Sequence, residues 1–402
     1  MRILLVTSDL PSPAARHGGG QLTYRWTREL AGIHSYSLLS FARKEDEARL
    51  AELRREFAAV RTVPAERGLF NRLARAPLLL TRPFPVAATA SRRIKAALGE
   101  MLAESRYDCV QLENFHMGQY ARSIPAGMPR VLVFQDLAGD VLRQQVRLAG
   151  GLKKYHYYRQ WRLSRYREKW YAIRAGNVFV MSLKDRRAVD SWDIGVKTFV
   201  MPPLPDPGLL ALPEGERDGK TVLFIGALHR PGNIDAVIRL KYGIMPRVRR
   251  ECPAAKCVIV GAWPPARIRR LEAADFSVTG EVERIEPYLA SASLLAVPLR
   301  VAGGIILKIV EALCAACPVA ATRAANAGVG ARDGREILLA DRDRDFAEAV
   351  IRLLKSPGER RRLGAAGRRW VEEKFDREES RRKMIEAYRK IVAGGTARGP
   401  IS

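Results

Sequence analysis

Gly303-Gly304-Ile305-Ile306-Leu307-Lys308-Ile309-Val310-Glu311-Ala312-Leu313 joins a glycine pair to a stretch of helical character that carries one cation and one carboxylate. Glycines put no side chain in the way, so backbone N–H groups there can approach a diphosphate closely. The following helix N-terminus adds a partial positive charge, and Glu311, further along, can accept hydrogen bonds from ribose hydroxyls. The competing reading is a glycine that merely makes the turn before a helix, and the surrounding sequence has to decide between them.

Working outward, short β-branched or apolar runs alternate with longer amphipathic stretches, the pattern of βαβ units. Residues 2–7 read as a buried strand, 17–20 as a turn holding Gly18, Gly19 and Gly20, and 21–31 as a helix. Further strands are expected at 35–40, 109–113 and 131–135. The plan repeats after residue 220, with strands at 221–225, 257–260, 294–298 and 319–322, a helix over 233–249 and the helix of Glu311. Between the halves, Met201-Pro202-Pro203-Leu204-Pro205-Asp206-Pro207-Gly208 contains four prolines, which forbid helix interior and central strand alike. The expected fold class is therefore α/β, two Rossmann-like lobes facing a cleft. The first lobe is placed at 1–203 and the second at 204–375. A C-terminal helix at 376–402 returns to the first lobe and ends in a frayed tail.

A chain of 402 residues exceeds one typical core, and 47% hydrophobic residues suffice to fill two. Charge narrows the partners: 69 Lys and Arg against 43 Asp and Glu leave a formal net of +26, which calls for an anionic ligand or surface. The apolar run at residues 3–6 is too short for a signal-peptide core, and no stretch approaches the ~20 apolar residues of a membrane span. The expected location is the cytoplasm, with any membrane contact peripheral, on the inner face of the cytoplasmic membrane. Five cysteines form no disulfide framework, and Cys314-x-x-Cys317 is read as buried and structural. The five histidines lack metal-ligand spacing, so neither metal nor cofactor is expected. Residues 153–170 interleave Lys and Arg with Tyr and Trp. An anionic bilayer and an ordinary amphipathic helix both suit that composition, nucleic acid poorly, since no recognised nucleic-acid module is visible.

The second half resembles the nucleotide-binding lobe of retaining glycosyltransferases of family four, which have the two-lobed GT-B architecture. The likeness runs through ordered landmarks: Val222-Leu-Phe-Ile-Gly-Ala227 with Asn233-Ile-Asp-Ala-Val237, Val258-Ile-Val-Gly261, Val278-Thr-Gly-Glu-Val282, Val297-Pro-Leu-Arg300, residues 303–313, Pro318-Val-Ala-Ala-Thr322 and Glu336-Ile-Leu-Leu-Ala-Asp341. Residues 1–30 and 132–140 look, more loosely, like the acceptor lobe. The resemblance implies a metal-independent hexosyltransferase that moves a sugar from a UDP- or GDP-sugar to an acceptor with retention of configuration. The expected setting is cell-surface polysaccharide or glycoconjugate synthesis, and the acceptor stays open among a lipid-linked saccharide, a polysaccharide, a protein and a small molecule. It puts the donor on Gly303, Gly304, Ile305, Lys308, Glu311 and Arg230, with the base near Gly280, Glu281 and Val282. It gives Lys308 and Gln135 catalytic roles. His116 is a further catalytic candidate from its place just past a strand end, where doubly wound sheets expose ligand groups, and the Gly18–Gly20 loop, at a strand-to-helix junction, is a candidate for an acceptor or phosphate contact.

Several positions depart from the family pattern. Many members carry two glutamates separated by seven residues, and the first falls on Gly303. An Arg found in a subset with glycines there is Ile306. The Arg and Lys of the loop after the lobe's first strand fall on Ala227 and Gly232, a His of the first lobe on Gln135, and a helix-ending Gly on Cys317. These losses keep a second reading open, a GT-B nucleotide-binding or scaffold protein without transferase activity.

Overall fold

A run such as Ile3-Leu4-Leu5-Val6 has no polar face to give to water, so it is stable only as a strand covered on both sides. In the computed structural model, which describes residues 1–12, 18–65, 77–215 and 217–394, such runs form the centres of two parallel sheets. The first sheet contains β1 (Arg2–Thr7), β2 (Ser35–Ala42), β3 (Ala59–Pro64), β4 (Cys109–Glu113), β5 (Arg130–Phe134), β6 (Asn177–Val180) and β7 (Lys197–Val200), in the order β3-β2-β1-β4-β5-β6-β7. The second contains β8 (Thr221–Ile225), β9 (Lys256–Val260), β10 (Phe276–Gly280), β11 (Leu294–Val297), β12 (Val319–Ala321) and β13 (Leu338–Leu339), in the order β10-β9-β8-β11-β12-β13. Each order reverses once, between β1 and β4 and between β8 and β11, and loops leaving the carboxyl ends there diverge to opposite faces.

The chain divides between Pro202 and Pro203, and again between Arg377 and Glu378. One unit is Met1–Pro202 with the helix that continues from Glu378, and the other is Pro203–Arg377. Strands β3, β6, β7, β10 and β13 are additions to the expected set. They are short or flank the sheets, and β10 alternates buried and exposed residues instead of running apolar. Three further expectations change. Residues 18–20 are not a turn: helix Gly18–Leu30 begins at Gly18, while His17 lies outside the described residues. The helix expected over 233–249 is instead α-helical over Pro231–Ile238, π-helical over Arg239–Ile244 and α-helical again over Met245–Glu251. Pro246 has no N–H for the ladder, and buried Arg239 is held sideways by Asp343 Oδ1 (2.9 Å from Nε) and the carbonyl oxygens of Pro298 (2.6 Å) and Asp341 (2.9 Å), so the turn widens. Cys314 and Cys317 are free thiols in the second core.

Helix Arg377–Gly394 is fastened to the first unit through Tyr388. Its ring is fully buried, edge-on to Phe179 and to His34, each at 5.3 Å, and its hydroxyl donates to Gln111 Oε1 on β4. Met384 and Ile391, four before and three after, bury on the same helix face. Tyr388→Ala is expected to cost about 3–5 kcal/mol, as for other large buried aromatics. Tyr388→Phe should cost about 1 kcal/mol. Urea denaturation of the two variants measures both, and equal losses would show that the hydroxyl, not the ring, holds the helix.

Candidate functional site

In the second unit, glycines end three neighbouring strands. Gly226 N donates to Val260 O and Gly261 N to Gly280 O, both at 2.9 Å, so the carboxyl ends of β8, β9 and β10 close on backbone alone. A methyl group on Gly261 would sit 1.8 Å from Gly226 O, and Gly280 has φ +79°, so each position demands glycine for a different reason. Across the order reversal, Gly303 and Gly304 follow β11. Gly304 turns with φ +58°, and its carbonyl lies where a Cβ of Gly328 would be, 1.8 Å away. Helix Leu307–Cys314 then starts with no side chain capping it; Ile309 N donates to Ile306 O at 2.9 Å, and the Leu307 and Lys308 amides ahead of it are placed to meet solvent or a ligand.

Lys308 stands in that first turn and Glu311 one turn on, on the same side of the helix. Lys308 Nζ donates to Asn233 Oδ1 at 3.0 Å and lies 4.3 Å from the centre of the Phe224 ring. Asn233 is fixed in turn by donating to Ala227 O at 2.9 Å. Gly226 makes the space, since a methyl there would come within 2.6 Å of Lys308 Nζ and 2.8 Å of Asn233 Nδ2. Burial pushes the Lys308 ammonium down to about 7; Glu311 opposes the shift and Arg230 adds to it. Glu311 itself is buried. Arg230 is exposed at the entry to helix Pro231–Ile238, Glu281 is exposed just past β10, and Val282 packs against the core. Sequence reasoning missed Asn233 as a partner of Lys308. It also missed Trp263, 39% exposed with φ +51°, its ring tilted against His229 at 5.4 Å. A bulky residue in the left-handed region is a strained choice of the kind that collects at ligand sites, and that strain is invisible in the sequence.

The first unit has its own small polar recess at the carboxyl ends of β1, β4 and β5, lined by Thr7, Asp9, Gly20, Thr23, Glu113 and Gln135 among others. Gln135 Nε2 lies within hydrogen-bond distance of Gly19 O (3.1 Å), Thr23 Oγ1 (3.2 Å) and Glu113 Oε2 (3.2 Å). Glu113, fully buried, also accepts from Gln111 Nε2 at 2.5 Å, and that amide's oxygen accepts from Tyr388. A Cβ on Gly19 would fall 1.7 Å from Gln135 Oε1, so the glycine is needed for packing against Gln135 and serves no loop. Gln135 and Gly18–Gly20 are thus brought together. His116 is not one of the recess's lining residues: it sits half-exposed in the 3-10 segment Phe115–Ser123, edge-on to Phe115 at 5.7 Å. Among the described residues no group of three or more His, Cys, Asp or Glu is placed to hold a metal ion.

Residues 219–356 match the family model for glycosyl transferases group 1. No curated protein matches the chain. Solved structures match over the full length: sucrose-phosphate synthase from Thermosynechococcus elongatus is 17% identical, covering 98% of this chain and 100% of that one, with a TM-score of 0.73. TarM is 11% identical over 96% and 98% of the two chains at 0.70, and Anabaena HepE in complex with UDP-glucose 16% over 97% and 100% at 0.69. The two parallel sheets with their helices are the GT-B fold, and the match to the group 1 glycosyltransferase family model lies within the second unit.

The lowered Lys308 has a consequence for stability. A lysine whose folded pKa is about 7 against the ordinary 10.5 leaves the unfolded chain holding more protons between those values, so stability rises with pH across that window. Below pH 7 both states are protonated and the penalty is constant. Between about pH 7 and 10, wild type is expected to gain on Lys308→Met by roughly 1–3 kcal/mol, the half-buried position discounting the full effect. Urea titrations at the two ends of the window test this, and an unchanged difference would mean that Lys308 is solvated.

Proposed function

We propose that this GT-B chain is a retaining, metal-independent and cofactor-independent hexosyltransferase of family four. It would use a UDP- or GDP-sugar and act in cell-surface polysaccharide or glycoconjugate synthesis, on an acceptor such as a lipid-linked saccharide. The observation that carries the reading is the Lys308–Asn233 pair beside an uncapped helix start, with Glu311 one turn further along the same helix. The likeness to a HepE structure that contains UDP-glucose supports the donor class.

In this reading the donor's diphosphate lies against the amides of Gly303, Gly304 and Ile305 and the Lys308 ammonium, with Arg230 reaching in from solvent. Glu311 accepts the ribose hydroxyls. The base sits past β10, by Gly280, Glu281 and Val282, and Trp263 offers a ring face for it to stack on. As the bond from the sugar's anomeric carbon to the phosphate oxygen breaks, its electron pair goes to the β-phosphate. The new charge grows within reach of fixed N–H donors and a partly desolvated cation. The acceptor hydroxyl oxygen bonds to the same face of that carbon, and its proton passes to the departing phosphate oxygen. No enzymic nucleophile is needed. In the first unit, the recess of Gln135, Glu113 and Gly18–Gly20 offers hydroxyl-binding groups for the acceptor; His116, which does not line it, would act only from its border.

A second reading, nucleotide binding without turnover, is favoured by one feature: Gly303 and Ile306 stand where a carboxylate and an arginine would handle the sugar. Calorimetry with UDP and GDP, paired with hydrolysis and transfer assays on their sugar conjugates, separates the two. Glu311→Ala is expected to weaken nucleotide binding about 10- to 100-fold, the loss of charge-assisted hydrogen bonds. Binding indifferent to that change, or no binding by wild type, would remove the donor assignment; binding without transfer would select the second reading. With its pKa lowered to about 7, Lys308 is mostly neutral at pH 8 until an anion favours its charged form, so binding of a UDP-sugar at pH 8 is expected to take up as much as about one proton, read from calorimetry in buffers of different ionisation enthalpy.

A further inference from the structure

The positive charge of the first unit is concentrated on one helical hairpin. Residues 138–175 hold ten Lys or Arg and two carboxylates. Of the two, Glu168 is buried against Gly139 N–H, and that burial, with Asp136 and Asp140 adding to it, pushes its carboxyl up to about 8, so it offsets little of the charge. Helices Ala138–Leu148 and Gly151–Ala175 pack against each other, joined through Ala149 and Gly150. At the join, every residue from 150 to 156 is exposed. Leu152 is 89% exposed, Tyr155 70% and Leu148 55%, levels that large apolar side chains in one cluster rarely show without a partner.

A second apolar group is fastened beside them. Arg159 donates to the carbonyl oxygens of Leu79 and Leu80, Gln160 Oε1 accepts from Phe84 N at 2.9 Å, and Arg167 donates to Thr81 O at 3.3 Å. These bonds hold the short helices Leu78–Thr81 and Phe84–Ala88 against the hairpin's long helix and present Leu80 and Phe84, 73% and 63% exposed. Exposed aliphatic tips set among cations match the boundary between lipid headgroups and acyl chains. Nucleic acid matches the charge and could stack on the exposed Tyr155, Tyr158 and Tyr166, but it leaves Leu80, Leu148 and Leu152 without a partner, whereas a bilayer takes leucines, rings and cations together. A second copy of this chain would bring like-charged hairpins together.

We propose that the 148–155 tip of this hairpin, flanked by Leu80 and Phe84, docks on an anionic lipid bilayer. Leu148, Leu152 and Tyr155 enter the acyl boundary, and Arg143, Arg147, Lys153 and Lys154 meet the lipid phosphates. This surface is separate from the nucleotide-binding residues and stands whether or not the transferase reading does. Among the described residues no helix is long and apolar enough to cross a membrane, so the attachment is peripheral.

The test is co-sedimentation of the full-length protein with phosphatidylcholine vesicles, with and without phosphatidylglycerol, at low and high salt. Wild type is expected to bind only where phosphatidylglycerol is present. Leu152→Ser with Tyr155→Ser should weaken binding at least about tenfold at both salts, and Lys153→Gln with Lys154→Gln should weaken it mainly at low salt. Tyr242→Ser, an exposed tyrosine of the other unit, should leave it unchanged, and hydrogen exchange should slow in residues 148–155 when vesicles are added. The proposal is overturned by equal binding to neutral vesicles, by hairpin variants that bind like wild type, or by a loss shared with Tyr242→Ser. Capture by a single-stranded oligonucleotide with no affinity for vesicles would assign the patch to nucleic acid instead.

Discussion

A cation drawn out of water onto an aromatic face and an amide oxygen sits in a setting that works against its own charge, and the second unit is arranged around that tension. Lys308 reaches Asn233 only because Gly226 leaves room, and Gly226 can lie where it does only because Gly261 leaves room for its carbonyl. The chain of permissions runs from one strand end to the next. On the proposed reading an arriving anion would relieve the tension by supplying the counter-charge that burial removes, so the cost of holding Lys308 would be recovered at the moment of binding.

Much of this was legible in the sequence, and unevenly so. Lys308, Glu311 and the glycine pair lie within nine residues, where spacing alone places them on one turn and one helix face. The central strands were readable because burial on both faces makes them continuously apolar, whereas β3 and β10 expose residues along their length and lose that signal. Asn233 was noted as part of a landmark, but its bond to Lys308 spans 75 residues and depends on tertiary packing. Gly18–Gly20 misled for the opposite reason. Three glycines read as a loop, yet Gly19 lies in a helix, and it is glycine because the Gln135 side chain occupies the space any Cβ would need. Trp263 carried no signal, since backbone strain is not written in composition.

The first unit binds its edges differently. Glu113, Gln111, Gln135 and Tyr388 form one polar chain, half-buried at Gln135 and buried beyond it, from the recess to helix Arg377–Gly394, so that helix is bonded to the side chains that shape the recess. Removing any member leaves its neighbours buried with unmet hydrogen bonds, which makes the chain costly to break in part. The basic hairpin of the same unit spends no such network on its tip, where charge and apolar surface face solvent together.

The close approaches at Gly226, Gly261 and Gly328 bear on how this protein can change over time. The chain approaches itself so closely there that a side chain at Gly226, Gly261 or Gly328 would push backbone or neighbouring side chains apart, so the positions are poor targets for gradual drift. If the proposed donor reading holds, the seat for the phosphates would be main chain and protected in this way, whereas side chains that hold the sugar would carry no such protection. Seat and sugar contacts would then evolve on separate clocks, and a lineage could exchange one sugar for another, or lose turnover altogether, while keeping its grip on the nucleotide.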